Sequence, residues 1–294
     1  MNKYIDIIKN SYADYWNYLK QSVLMELNWE NYFYGLIIIS IIVWLLEIVF
    51  PWRKNQAIFR KDFWLDAFYM FFNFFLLNLI VLIALSNSAA QIFNDFLGVF
   101  NLSIANFQLF DINQFPFWAR IFVFFIVIDF VQWFTHTLLH KYEFLWNFHK
   151  VHHSVKEMGF AAHLRYHWME PILYNSMKYI PLAIMGGFTA QDIAFVHFFN
   201  IIIGHINHAN INLDYGVFKY VLNNPKMHIW HHAKELPSKR KQGVNFGITL
   251  SIWDYIFKTN YIPHNGRDIE LGFENDELFP ADFLQQEIYP LGKK

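Results

Sequence analysis

The fold class this sequence predicts is all-α: a polytopic membrane bundle of about four spans or two hairpins, with a helical cap rich in histidine. Three observations predict it. The 294 residues are 55% hydrophobic and 21% aromatic but only 16% charged, against about 25% charged in an average domain. Apolar segments approach the ~20 residues needed to cross about 30 Å of hydrocarbon. Histidines recur three and four positions apart, the spacing that places side chains on one face of a helix.

The elements follow in order. In residues 1–31, the spacing of Ile5, Ile7, Ile8, Tyr12, Trp16 and Leu19 predicts an amphipathic helix lying at a membrane interface, with Tyr and Trp as anchors. The short apolar run and cleavage site of a secretory signal are absent from it. The first span is 33–50, apolar except for Glu47 and stopped by Pro51-Trp52-Arg53-Lys54. A second, 67–85, carries no charge, and a third, 117–134, is interrupted by Arg120 and Asp129. Segment 172–203 holds Lys178, Asp192 and His197 around a Gly186-Gly187 break, and reads as a hairpin of two imperfect or re-entrant helices. The first two spans lack the polar face a soluble helix would show.

Basic residues orient the bundle. The loop at 51–64 carries Arg53, Lys54, Arg60 and Lys61, whereas 86–116 has no Lys or Arg. The first loop is therefore expected on the cytoplasmic side, and with it every histidine cluster after the third span. No linker or repeat divides the chain. It reads as one domain, 1–294, with an interfacial helix (1–31), membrane spans (32–134), a cap (135–170 and 204–258), a membrane hairpin (171–203) and a tail (259–294) that packs below the cap.

Composition also excludes functions. A net charge of −1 leaves no basic surplus for phosphates, so nucleic acid is not a partner. The absence of cysteine removes disulfides, thiolate zinc sites, Cys-ligated iron–sulfur clusters and a Cys nucleophile. Any metal must be held by nitrogen and oxygen. No Gly-rich dinucleotide loop is present, so electrons, where needed, come from outside.

The chain has 14 histidines. His136 and His140 are i,i+4; His149, His152 and His153 read H-x-x-H-H; His205 and His208 are i,i+3; His228, His231 and His232 repeat H-x-x-H-H. With histidine at roughly 5% of positions, chance predicts about 0.03 such five-residue strings in this length, so two of them call for a cause. Each box is expected to present two or three imidazoles toward a single point. Imidazole binds iron, zinc, copper and nickel, and nine of these ten, counting only His208 from the i,i+3 pair, exceed what one ion holds. Two metal ions are the economical reading. His136 and His140 project from the last turns of the third span, which places the site at the membrane surface, within reach of an apolar chain.

The motifs are also those of a family. Asp129…Trp133…His136-Thr-Leu-Leu-His140…Leu145-Trp146…His149-Lys-Val-His152-His153-Ser154 resembles the fatty acid hydroxylase / sterol desaturase superfamily. So do Arg165-x-His167-x-x-Glu170, His208-Ala209-Asn210 and Pro225-x-x-His228-Ile-Trp-His231-His232. Asn245-Phe246-Gly247…Trp253-Asp254…Phe257-Lys258-Thr259 resembles the family's closing motif, which usually reads N-Y-G and F-G-T. The resemblance covers 129–259 and implies an integral membrane oxygenase with two iron ions, for which zinc can substitute in purified protein. It implies His136, His140, His149, His152, His153, His208, His228, His231 and His232 as ligands, with His205 and His167 as weaker candidates. Asp129, Glu170, Asn210 and Asn245 become candidates for orienting the ligands. His163 belongs with the orienting or structural residues, and His197 and His264 with neither.

Such an enzyme would use O₂ and external electrons to hydroxylate or desaturate a lipid: a sterol, fatty acyl chain, carotenoid or ether lipid. The donor would be a separate electron-transfer protein or a small reductant such as a reduced pterin. Two readings from other classes stand beside it. A metal transporter would place polar ligands at the bilayer midplane, whereas these boxes lie at and beyond the span ends. A non-catalytic membrane scaffold would use its metals only to brace the cap.

Overall fold

The computed structural model describes residues 2–24, 31–109, 111–186 and 188–291. Its helices are α1 (Asn2–Leu24), α2 (Tyr32–Val49), α3 (a continuous helical stretch, Phe63–Val99), α4 (Phe117–Lys141), α5 (Glu143–His153), α6 (Met169–Met185), α7 (Ala190–His208), α8 (Pro225–His231), α9 (Ile252–Ile256) and α10 (Phe283–Ile288). Among the described residues there is no strand, only isolated bridges such as Pro51 to Ile211 and Ala233 to Leu271. The all-helical prediction holds.

Three helices, α2, α3 and α4, are long and apolar enough to cross a membrane. Asn31 caps α2, its side-chain oxygen accepting from Phe33 N at 2.9 Å. Helix α4 covers the third expected span and runs on to Lys141 without a break, which carries its two histidines on the membrane helix itself. Helix α3 departs from expectation. It does not end near Leu85 but continues to Val99, so the first part of the expected 86–116 loop is helical. The polar residues that interrupt the hydropathy there are satisfied by α1, which runs antiparallel along the second half of α3. Asn87 donates to Ser11 at 2.8 Å, and Asp95 pairs with Lys3 at 2.7 Å and accepts from Tyr4 at 2.7 Å. Two π-helical segments, Phe72–Leu76 and Asn78–Leu82, lie in the middle of α3. Their carbonyls at Phe75 and Ile80 accept from Tyr15 and Tyr12 of α1. Helix α1 therefore has a protein partner along its length.

The expected hairpin is present as α6 and α7. Helix α6 stops at Gly186, whose φ of +59° suits glycine; Gly187, the other half of the anticipated break, lies outside the described residues. Thr189 and Asp192 form a capping box that starts α7. Arg120, one turn into α4, pairs with the buried Asp192 at 2.8 Å. The hairpin tip is thus tied to the start of α4, and α7 returns to end beside α8.

Beyond the helices, Trp52, Val155, Met158, Ile229, Trp230 and Leu271 form the apolar core of the cap. The tail closes over it. Gly272 N donates to His232 O at 3.1 Å, and Lys156 pairs with Asp276. Phe283 of α10 packs edge-on against Phe68 and Phe72 of α3, and Glu287 accepts from Trp168 N at 3.0 Å.

Candidate metal centre

Four helices deliver imidazoles to one volume: the end of α4, the second half of α5, the end of α7 and α8 with the residue that follows it. Asn224 caps α8, accepting from Met227 N, and Pro225 occupies its first turn. The nine histidines singled out above sort into two groups, in each of which the ligand atoms lie within 4.8 Å of one another. One is His136, His140, His149, His153 and His231; the other is His152, His208, His228 and His232.

Neither H-x-x-H-H box serves a single point, contrary to the simplest expectation. In each, the i,i+4 pair goes to one group and the remaining histidine crosses to the other. His149 and His153 join the first group while His152 joins the second; His228 and His232 join the second while His231 joins the first. The reason is angular. At about 100° per residue, positions i and i+4 differ by about 40°, but i+3 lies about 60° to the other side of i and about 100° from i+4. One short helix therefore straddles two sites.

The outer nitrogen of most rings is fixed by an acceptor. His136 Nδ1 donates to Phe246 O at 2.7 Å, His152 Nδ1 to Arg165 O at 3.0 Å, His208 Nδ1 to Gly204 O at 2.8 Å, and His231 Nδ1 to Val244 O at 2.8 Å. His149 Nδ1 donates to the Glu170 carboxylate at 2.9 Å. A carbonyl only accepts, so His136, His152, His208 and His231 carry their hydrogen on Nδ1 and leave Nε2 as a bare lone pair; Glu170 imposes the same on His149 when it is ionised. Burial pushes His149, His153, His228, His231 and His232 well below the ordinary histidine range, and His152 down to about 4. These imidazoles are neutral and able to ligate at physiological pH.

Those lone pairs face one another. His136 Nε2 and His149 Nε2 are 3.1 Å apart, and His152 Nε2 and His208 Nε2 are 3.3 Å apart. With Glu170 ionised, neither member of either pair has a hydrogen to give. Two inward lone pairs at this distance repel unless a cation lies between them. Separations of this size suit two nitrogens that share one ion at about 2.1 Å each. In addition, His140 Nε2 is buried without a protein hydrogen bond, and His228 Nε2 lies 2.8 Å from His208 Nε2 and 3.1 Å from His232 Nε2. The residues present fit two metal ions.

The candidate orienting residues do different things. Glu170 touches a histidine directly. Asp129 instead accepts from Trp253 Nε1 at 2.8 Å and holds the closing motif against α4. Asn245, at φ +52°, donates from its side chain to Met227 O and Tyr261 O and so fixes the approach to α8. Asn210 accepts from Arg53 N at 2.8 Å and ties the cap to the loop after α2. His205 and His167 lie outside both groups. His205 sits between Ser40 and His163, at 3.1 and 2.9 Å. His167 bonds Glu287 O and Met169 N through its two ring nitrogens. His264 packs on Trp230, and His197 stacks on Phe74.

Asp254 and Arg165 carry more than sequence reasoning gave them. Asp254 accepts from Trp133 Nε1, Phe246 N, Gly247 N and Thr259 Oγ1, and so fixes the peptide whose carbonyl holds His136. Arg165 is buried and bonds Asp62, Asp66 and Ser154; its own carbonyl holds His152. Both lay inside quoted motifs, but spacing gives no sign of a side chain that works through a backbone carbonyl.

A cavity of about 460 Å³ opens from the site. His136, His149, His152, His208 and His228 line one part of it, and residues of α1, α2, α3, α6 and α7 line the rest.

Comparison with known proteins agrees with this geometry. Residues 121–259 match the model of the family described as fatty acid hydroxylase. Among curated proteins, the ornithine lipid hydroxylase OlsE of Rhizobium tropici is 25% identical over 182 residues, 62% of this chain and 53% of its own length. The alkylglycerol monooxygenase of Homo sapiens is 29% identical over 137 residues, 46% of this chain and 29% of its own. The very-long-chain aldehyde decarbonylase GL1-9 of Oryza sativa subsp. indica is 29% identical over 152 residues, 51% of this chain and 57% of its own. The matches thus span about half of the first of these relatives and less than a third of the second. No solved structure gives a significant match.

Proposed function

We propose that this chain, which belongs to the fatty acid hydroxylase / sterol desaturase superfamily, is an O₂-dependent oxidoreductase that oxidises a C–H bond of a membrane lipid. The observation that carries this reading is the pair of histidine groups facing one cavity beside helices fit to span a membrane. The relatives' names support the class of substrate: an ornithine lipid, an alkylglycerol and a very-long-chain aldehyde.

Two iron ions, when bound, would supply the activation of O₂, with electrons from a separate protein or a small reductant. His136, His140, His149, His153 and His231 would hold one ion, and His152, His208, His228 and His232 the other. The chain's remaining residues keep that arrangement in place. Carbonyls of residues 165, 204, 244 and 246 and the carboxylate of Glu170 fix the ring tautomers and their directions. Phe246, whose ring lies 5.1 Å from that of His140, and Trp146, at 4.9 Å, pack around the one partly exposed member of the first group. The cavity would lay one carbon of the lipid against the histidines. With the basic loop after α2 on the cytoplasmic side, the site opens at that face.

The test is metal content and the Mössbauer spectrum of detergent-purified protein from iron-57-fed cells. We expect about two irons per chain, coupled and oxidised by O₂. Zinc that iron loading does not replace, or less than one iron after loading, would overturn the reading in favour of a scaffold or a metal-handling protein.

A further inference from the structure

The chamber that leaves the histidines carries a cation. Glu170, Tyr174 and Lys178 stand at i, i+4 and i+8 on α6, and all three line the cavity, as one helix face must. Glu170 touches His149. Lys178 is two turns farther along, about 12 Å away on the helix axis at 1.5 Å per residue. The α7 face opposite runs the same way, from His208 through Gly204 and Asn200 to His197. The cavity therefore has a histidine end and a Lys178 end.

Lys178 is half-buried, and among the described residues its ammonium makes no ion pair or hydrogen bond; it lies 5.9 Å from the centre of the Tyr174 ring. The nearby acids bond to other groups, Glu170 to His149 and Asp129 to Trp253, and neither touches the ammonium; Asp129 acts on it only through space. An ammonium held in a partly dry chamber with no contacting partner is costly, and such a residue beside membrane-length helices is a candidate binding position. Side-chain amides of Gln132 and Asn175 line the same chamber, which suits a charged oxygen-rich group better than a hydrocarbon.

We propose that Lys178 anchors an anionic headgroup, a carboxylate or phosphate borne by the lipid substrate, and so sets which stretch of the chain reaches the histidines. The assignment of the histidine end rests on the oxygenase reading above, whereas the anion anchor requires no metal. Neutral lipids of the same length would leave the ammonium desolvated and should bind less well.

The experiment is direct binding to the full-length protein in nanodiscs of neutral lipid, comparing palmitate, hexadecyl phosphate and hexadecanol, with Lys178→Met and Lys178→Arg alongside. We expect at least one anionic amphiphile to bind about tenfold or more tighter than the alcohol, the preference to vanish in Lys178→Met and to survive in Lys178→Arg. The stronger of the two anions tells carboxylate from phosphate. Inorganic phosphate should not compete; if it displaces the amphiphile at similar concentration, the site takes a free anion and the proposal fails. Equal affinity of wild type for all three, or a preference that persists in Lys178→Met, also overturns it. The wild-type comparison stands even if Lys178→Met fails to fold. The His228→Ala variant separates this result from the oxygenase reading: it should lose metal while keeping the preference for an anion.

Discussion

The two histidine groups draw on the same pair of boxes yet lean on different parts of the molecule. The first takes His136 and His140 from α4, and is held by the closing motif through the carbonyls of residues 244 and 246 and by Glu170. The second takes His208 from α7, and is held by the carbonyls of residues 165 and 204; two of its four rings, His228 and His232, have no Nδ1 partner. One group is thus braced by the segment around residues 244–246 and the start of α6, and the other by α7 and the loop after α5. Perturbations in the two regions should therefore separate the two metals.

The largest effect is expected from His152→Ala. This ring belongs to the second group while its neighbours on α5 belong to the first. Bound iron should fall from about two to about one per chain, with loss of all turnover; retention of both irons by elemental analysis would break the division. Glu170→Gln should follow. It keeps the volume but weakens the hold on His149 Nδ1, and loss of such a partner costs roughly 10–100-fold in metal affinity or activity. Iron retention after a chelator challenge should drop at one site only, and equal loss from both would mean that the groups are not independently braced.

Asp254→Ala tests the brace around residues 244–246 alone. It strands buried donors at Trp133, Phe246, Gly247 and Thr259, and should cost roughly 3 kcal/mol of stability, read as a lowered thermal midpoint in detergent. A smaller and opposite effect is expected of Lys258→Gly. Lys258 sits at φ +60°, where a side chain crowds the backbone, and the family's usual glycine is free of that strain. The variant should be more stable by about 1 kcal/mol; a lower midpoint would show that the lysine side chain has a role of its own. His264→Ala, which belongs to neither group, should change neither iron content nor turnover.

Much of this was legible in the sequence because helical spacing and hydropathy are local. The i,i+4 and H-x-x-H-H patterns marked eight of the nine histidines that come together, the family resemblance at His208-Ala209-Asn210 marked the ninth, and the Gly186 break marked the hairpin. The extent of α3 was not legible: Asn87 and Asp95 read as the start of a loop until α1 supplies their partners. The different duties of Asp129, Asn210, Asn245 and Glu170 were equally hidden, since only the last reaches an imidazole. The departure at Lys258 was visible as a letter, while its cost depends on a φ angle.

What the sequence determined by itself is an all-helical chain with apolar helices of membrane-crossing length and a set of histidines too many for one ion. Chain-local rules suffice for that, because a helix's period and an apolar run's length do not depend on neighbours. Which histidine joins which group, and which carbonyl holds each ring, was decided only by the tertiary structure. Those pairings join residues up to 110 positions apart, His136 with Phe246, and they arise where four helices meet and bury their polar atoms together, so that each ring must find its acceptor in another segment of the chain.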